Sequence, residues 1–373
     1  METQGQEKKA FKDWWDLEAA EALGNQISGA MPGFDRKRFV RLATKGLADL
    51  EMSDRVKQFS VALRKTLPDS VPEAMCVLVG SLPAEMEDCE SLTDGWLQWP
   101  VGQFILEYGV DYFEESMVAM IALTKRFSAE FAVRPFADRY PEITMHRLLD
   151  LTSDVNPHVR RWCSEGIRPR LPWGSKLRGL VEDPGPIWPI LEALKDDEEL
   201  YVRRSVANNL NDIAKDHPAA VVECCRKWMA EPTAEREWLV KRALRTLIKD
   251  GNASALEVVG YGRARGVELE FEIAPKAISV GESIEMEVSV GSSHRRSQNL
   301  MIDYVVHYVR KNGKTSEKVF KWKSLSILEG DSVTLTKRHS MRMTTIRALY
   351  VGRHRVEIQV NGERLAEAHF DLL

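Results

Sequence analysis

Two arginine pairs and two carboxylates are spaced so that they can share one surface. Val159-Arg160-Arg161 and Val202-Arg203-Arg204 stand 43 residues apart. Each reads as the opening of a helix, and each is followed by an acid: Glu165 six residues after its Val, Asp212 ten residues after. A difference of four residues is about one helical turn on the same face. If the two segments are equivalent helices of neighbouring repeats, the acids and the arginines converge. Such a cluster can stabilise a developing cation beside a phosphate grip. It can equally be the set of ion pairs that ties neighbouring repeats together, with Asp212 on a wet face.

Three local features bear on that choice. Arg160 and Arg161 are followed by Arg168, Arg170, Lys176 and Arg178, with only Asp154 and Glu165 opposing them between residues 154 and 178. The run Arg168-Pro169-Arg170-Leu171-Pro172-Trp173-Gly174 then places a tryptophan on a proline-fixed loop, poor core material but a good stacking element. Asn208-Asn209-Leu210-Asn211-Asp212 is an odd stretch for a helix, because Asn and Asp side chains compete with the backbone for hydrogen bonds. Trp162 and Trp188, by contrast, read as core residues.

The elements that must position these residues change type along the chain. Up to about Gly262 the pattern is helical, in segments separated by Pro, Gly and Asp. Predicted helices are 36–51, 54–66, 99–107, 114–127, 140–152, 158–167, 187–195, 201–215, 218–229 and 238–249. A third phrase, Val240-Lys241-Arg242, follows Val202 by 38 residues. A drifting period of about 40 with paired helices is the signature of a HEAT-like solenoid, an α-α superhelix whose pairs must stack to bury their apolar faces. After Val267 the period becomes two, as in Glu268-Leu269-Glu270-Phe271-Glu272-Ile273 and Ile284-Glu285-Met286-Glu287-Val288. Asn312-Gly313 and Asn361-Gly362 read as type I′ hairpin turns. About seven strands in about 105 residues predict a small all-β, immunoglobulin-like sandwich without the antibody cysteine pair. The expected domains are 1–262 and 267–373, joined near 261–266.

Composition narrows the class. The 373 residues are 44% hydrophobic and 29% charged, with net charge −4, as in ordinary globular proteins. Residues 1–262 carry 34 basic and 42 acidic side chains, and residues 263–373 carry 18 and 14. Between Gly291 and Arg355 the balance is 14 to 4, which suggests a polyanion partner or a solvated face. Cys76, Cys89, Cys163, Cys224 and Cys225 have no metal-ligand spacing, so reduced thiols in a cytosolic protein are expected. The opening residues lack the apolar core of a signal peptide, and no apolar run approaches membrane-spanning length.

Residues 159–173 and 201–218 together resemble the DNA alkylation-repair glycosylases built from HEAT-like repeats, the AlkC branch most of all. The segment Ser128-Ala129-Glu130-Phe131-Ala132-Val133-Arg134-Pro135-Phe136 fits that branch, and the strand-rich tail is similar to its immunoglobulin-like domain. The resemblance runs from about residue 100; residues 1–95 match only in general helical character. It implies hydrolysis of the N-glycosidic bond of cationic N3- and N1-alkylated bases, 3-methylcytosine and 3-methyladenine first among them, without base flipping. By motif, Asp212 is the acid beside the sugar and the attacking water, and Glu165 and Glu130 are its partners. Trp173 packs against the lesion's backbone. Arg160, Arg161, Arg168, Arg170, Arg203, Arg204, Lys241 and Arg242 are candidate DNA contacts. In the tail, Arg295 and Arg296 on the 291–299 loop are candidates too, with 337–347 as a second loop. The implied partner is double-stranded DNA carrying alkylated bases, bound by a monomer with no metal, nucleotide or other cofactor. A non-catalytic repeat scaffold or DNA-binding module is the alternative.

Overall fold

The computed structural model describes residues 10–89, 95–344 and 348–373. The expectations for the first nine residues and for Arg347 therefore lie outside the described residues. The chain forms two compact units, one up to Asp216 and one from His217 to Leu373.

The first unit is helical. Two helices that periodicity passed over, Leu17–Ala30 and Val71–Gly80, belong to it, each capped by a side chain (Asp16 and Ser70) on a backbone N–H. The predicted helix 36–51 is Arg36–Ala43 followed, after Gly46 at φ 71°, by a short 3-10 turn Leu47–Asp49. The helices that carry the candidate residues, Pro157–Glu165 and Leu200–Ile213, pack against each other. The first of them starts where Asn156 accepts the His158 N–H and Pro157 occupies the first turn. Val159 and Val202 are each the third residue of their helix, and both are fully buried. Val240 is different: it lies seventh in Ala234–Ala243, in the other unit, so the third phrase is not a third equivalent copy.

Among the described residues, the second unit holds the remaining helices and eight strands. β1 (Val267–Ala274), β3 (Ser283–Ser292) and β6 (Ser332–Ser340) form one sheet in the order β1-β3-β6. β2 (Ala277–Ile278), β4 (Gln298–Val309), β5 (Thr315–Ile327), β7 (Gly352–Val360) and β8 (Glu363–Leu372) form the other in the order β2-β8-β7-β4-β5. Ile284, Met286, Val288 and Val290 meet Leu300, Ile302, Tyr304 and Val306 in the core between the sheets. Asn361 and Gly362, at φ 47° and 86°, make the expected type I′ turn. Asn312-Gly313 does not: only Gly313 is left-handed, and Gly313 N–H donates to Arg310 O inside an Arg310–Lys314 closing pair, which is a three-residue loop. Lys337, Arg338 and His339 lie on β6 and not on a loop, with His339 buried between the hydroxyls of Tyr304 and Tyr308.

The switch from helix to strand falls between Val258 and Val267, yet the helices before it cluster with the sandwich. One cause is a backbone contact that admits no side chain. A Cβ on Gly251 would stand 2.8 Å from the carbonyl oxygen of Gly362, in the β7–β8 turn. Asn361 fastens the same place, donating from Nδ2 to Gly262 O at 2.7 Å.

Candidate functional site

The repeated phrase has one shared duty and one that differs. In both copies the first arginine folds back on the turn before its helix. Arg160 Nη1 donates to the carbonyls of Asp154 and Val155, and Arg203 Nη1 to those of Asp197 and Glu198. Arg160 also joins the copies, donating from Nε to the Asp197 carboxylate at 2.6 Å. These first arginines are struts of the repeat. The second arginines diverge: Arg161 turns inward, and Arg204 is exposed.

The inward cluster is a chain of alternating charge. Arg161 pairs with Glu130 at 2.5 Å and reaches Glu165 at 3.4 Å. Arg168 bridges the acids, with Nη1 on Glu165 at 2.6 Å and Nε on Asp212 at 2.8 Å. Lys215 closes the chain on Asp212 Oδ1 at 2.9 Å. Hydroxyls take up remaining capacity: Ser205 donates to Glu165 Oε2 at 2.6 Å, and Ser128 donates to Glu130. Burial alone would raise the Glu165 carboxyl, but Arg161, Arg168 and the Ser205 hydroxyl outweigh it and hold it below the usual glutamate range. The same acids overcome burial for Arg161 and Arg168, whose guanidinium groups are held more firmly protonated than usual. The three acids are thus matched by three cations, and every carboxylate is fixed in orientation.

One of the unusual asparagines serves this packing. Asn209, one turn before Asp212, donates from Nδ2 at 2.8 Å to the carbonyl of Ser164, the residue before Glu165, and so links the two helices. Beneath the proline loop, Arg134 donates to the carbonyls of Gly166, Arg168 and Ser175. Burial pushes Arg134 down to about 10, because carbonyls satisfy its donors without full counter-charge.

Above the cluster the loop presents Trp173. It is 81% exposed and sits at φ 64°, a left-handed conformation that costs a bulky residue on the order of 1–2 kcal/mol. Its ring lies parallel to Trp99 at 6.5 Å, and Trp99 stacks on Phe131 at 5.6 Å. This ladder walls a cavity of about 510 Å³ whose polar lining includes Glu130, Arg161, Glu165 and Arg168. Tyr201 lines it too, beneath the Arg161 guanidinium. Asp212, 3% exposed, lies behind Arg168. Among the described residues no group of three or more His, Cys, Asp or Glu could hold a metal ion.

Comparison with known proteins follows this geometry along the whole chain. Residues 268–373 match the family model described as the C-terminal Ig-like domain of the uncharacterised protein YhaZ. The uncharacterized protein YhaZ of Bacillus subtilis (strain 168) is 35% identical over 355 residues, covering 95% of this chain and 96% of its own length. The solved structure of the Pseudomonas fluorescens alkylpurine DNA glycosylase AlkC, bound to DNA containing an abasic site analog, superposes with a TM-score of 0.89. It is 36% identical and covers 98% of this chain and 100% of that one. The chain belongs to the AlkC family.

Within this AlkC-family fold, the residues expected from sequence separate by environment. Glu130, Glu165, Asp212, Arg161, Arg168 and Trp173 come together, while Arg160 and Arg203 are occupied by the turns before their helices. Arg170 is paired bidentately with Asp216 at 2.8 and 2.7 Å. Lys241 is exposed with Glu237 at 3.5 Å, and Arg242 lies over the Trp238 ring. Arg295 and Arg296 are exposed between β3 and β4. Sequence reading missed Lys215, Ser205, Tyr201 and Trp99. The first three share the Asp212 helix or its last turn, and Lys215 is three residues from Asp212, a spacing that signals a pair. Trp99 carries no local signal.

Proposed function

We propose that this AlkC-family protein is a monofunctional DNA glycosylase for bases alkylated at N3 or N1, acting on double-stranded DNA as a monomer. The observation that carries the reading is the grouping of Glu130, Glu165 and Asp212, tied together by Arg161 and Arg168, with a strained, exposed Trp173 above them. The full-length likeness to an alkylpurine DNA glycosylase, solved with an analogue of the product site, supports it.

The chemistry asks little of the enzyme beyond electrostatics. A 3-methyladenine or 3-methylcytosine is already cationic and departs as a neutral base, so no general acid is required. Positive charge develops on the deoxyribose, and a carboxylate beside it lowers the barrier, by about 3–4 kcal/mol if it matches an oxyanion-hole donor. Asp212 is the acid we assign to this role. Its Oδ2 is held by buried Arg168, whereas its Oδ1 is held by Lys215, whose side chain is 44% exposed. Oδ1 is therefore the oxygen released at least cost when a cation and a water arrive. Glu165 and Glu130 keep the Arg161–Arg168 pair in register and add negative potential. Trp173, at the rim, packs against the DNA backbone at the lesion, and the base is removed without being drawn into an enclosed pocket. Arg204, Lys241, Arg295 and Arg296 are the candidate phosphate contacts left exposed. Residues 1–262 supply the glycosylase part and 267–373 the accessory DNA-binding part, and five cysteines in the thiol state suit a reducing, cytosolic compartment.

The test is base release from defined duplexes, each carrying one 3-methylcytosine, 3-methyladenine or 1-methyladenine. Release of free base without strand cleavage is expected. No release from any of them would favour the non-catalytic repeat scaffold.

A further inference from the structure

A second cavity lies wholly in the unit from His217 onward, between the helices that precede the sandwich and the outer face of β4 and β5. It measures about 400 Å³, within the range of small-ligand sites. Asp303 of β4 stands in its wall, only 3% exposed, with Oδ1 lacking any hydrogen-bond partner. The reason for its placement is a bulge. Ile302 pairs with Lys323 and Asp303 with Lys321, so Trp322 is an extra residue whose N–H bonds to the Asp303 carboxylate. That satisfies one oxygen and leaves the other, buried in the cavity wall, without a partner. Burial pushes the carboxyl up to about 6, against the pull of Lys321, the Trp322 N–H and Lys337.

Around this acceptor the cavity carries Lys241, Arg245, Lys249 and Lys321. Lys249 and Lys321 are exposed, and Lys321 acts electrostatically on Asp303. The rest of the wall is mostly apolar, with Ile248, Val259, Met301 and Val319, one aromatic, Tyr261, and one hydroxyl, Ser324. A simple anion would meet the Asp303 carboxylate, and a simple cation would meet four positive side chains. What satisfies both is a molecule with an anionic group at one end and a flat, mostly apolar body with an N–H donor at the other.

We propose that this cavity binds a nucleotide, with its phosphate on Lys241, Arg245, Lys249 and Lys321 and the amino group of its base donating to Asp303. Cytosine and adenine present an exocyclic amino group to a carboxylate, a pairing also used in groove recognition of cytosine. Thymine has only an imide N–H flanked by carbonyl oxygens, which a carboxylate repels. The nucleotide can be free or an unpaired unit of DNA; the chemistry is the same. The inference shares only Lys241, a candidate phosphate contact, with the glycosylase reading, and none of its residues belongs to the acid cluster.

Calorimetric titration of the full chain with dCMP, dAMP, dTMP and inorganic phosphate tests it. Saturable binding of dCMP and dAMP is expected, with dTMP and phosphate weaker by about tenfold or more for the lost charged hydrogen bond. Asp303→Asn should erase the preference for dCMP over dTMP. Lys321→Ala, at an exposed position that leaves the fold intact, should weaken every phosphate-bearing probe by several-fold. A parallel arm compares a duplex containing one unpaired cytidine with the fully paired duplex. Competition by dCMP against the first alone assigns the site to DNA, and dCMP binding without competition assigns it to free nucleotides. Absence of dCMP binding, phosphate binding as tight as dCMP, or undiminished binding by Lys321→Ala would each overturn the proposal.

Discussion

Arg168 donates from Nε to Asp212 Oδ2 at 2.8 Å, joining two residues 44 positions apart. The bond fixes which way the Asp212 carboxylate faces and keeps its charge in a place where water is scarce. A buried charge left without its partner costs about 3–5 kcal/mol, so neither residue is replaceable on stability grounds alone. The replacement that tests chemistry must therefore keep shape and hydrogen bonding.

Asp212→Asn does so. The amide oxygen can still accept from Arg168, while the negative charge beside the sugar is gone. Base release should fall by about 10²–10³, the scale of one lost electrostatic stabiliser. Affinity for duplex DNA should be unchanged or slightly higher. Single-turnover release and a binding titration on the same preparation check both, and undiminished release by the variant would remove Asp212 from the chemistry.

Glu165 makes the protein sensitive to acid. Its carboxyl is held below the ordinary glutamate range in the folded state, so it contributes stability that is fully present above the unfolded pKa and lost as pH falls through the folded one. Stability should decline on the acid side of the ordinary glutamate range and stay flat through neutral pH as far as this group is concerned. Denaturant melts at a series of pH values measure the slope. Glu165→Gln should be less stable at neutral pH and show a shallower acid decline.

The two-fold phrase was legible in sequence because its spacing is regular, and so were the change of period near Val267 and the turn at Asn361-Gly362. The candidate acids were legible for a related reason, since each breaks the repetition that surrounds it. The meaning of the individual arginines was not. Adjacent residues on a helix point about 100° apart, and only the turn carbonyls reveal that Arg160 and Arg203 are spoken for. Trp99 completes the aromatic ladder through tertiary packing across a distance of 74 residues from Trp173, which no local pattern encodes. The grouping of the last helices with the sandwich was hidden likewise, in the close approach of Gly251 to Gly362.

Trp173 sets backbone strain against function. Trp173→Gly removes a left-handed penalty of about 1 kcal/mol and loses a ring stack with Trp99 worth a similar amount, so the melting temperature should hardly move. Trp173→Ala keeps the strain and loses the stack, and should be less stable by about 1 kcal/mol. Both should lose base release together. Equal activity with unequal stability, read by thermal melts and release assays, separates the role of the ring from the role of the loop. Normal release by both variants would mean that the exposed ring has no part in the reaction.

Arginines exposed to solvent and arginines locked in the repeat should be separable by salt. Each cation that neutralises a DNA phosphate contributes about −0.9 to the slope of log affinity against log salt concentration. Arg295 and Arg296 are exposed between β3 and β4, so the double Arg295→Ala, Arg296→Ala variant should lose up to about 2 from that slope with little change in stability. Arg160 is the counter-case. Its guanidinium is spent on the Asp197 carboxylate and on two carbonyls, with a side chain only 11% exposed. Arg160→Ala should cost about 3 kcal/mol of folding stability and leave the salt slope of the remaining folded protein unchanged. Binding titrations between about 50 and 200 mM salt, alongside denaturant melts, give both quantities. A slope altered by Arg160→Ala and untouched by the double variant would reverse the assignment, making the repeat helix the DNA-facing element and the β3–β4 loop a solvated one.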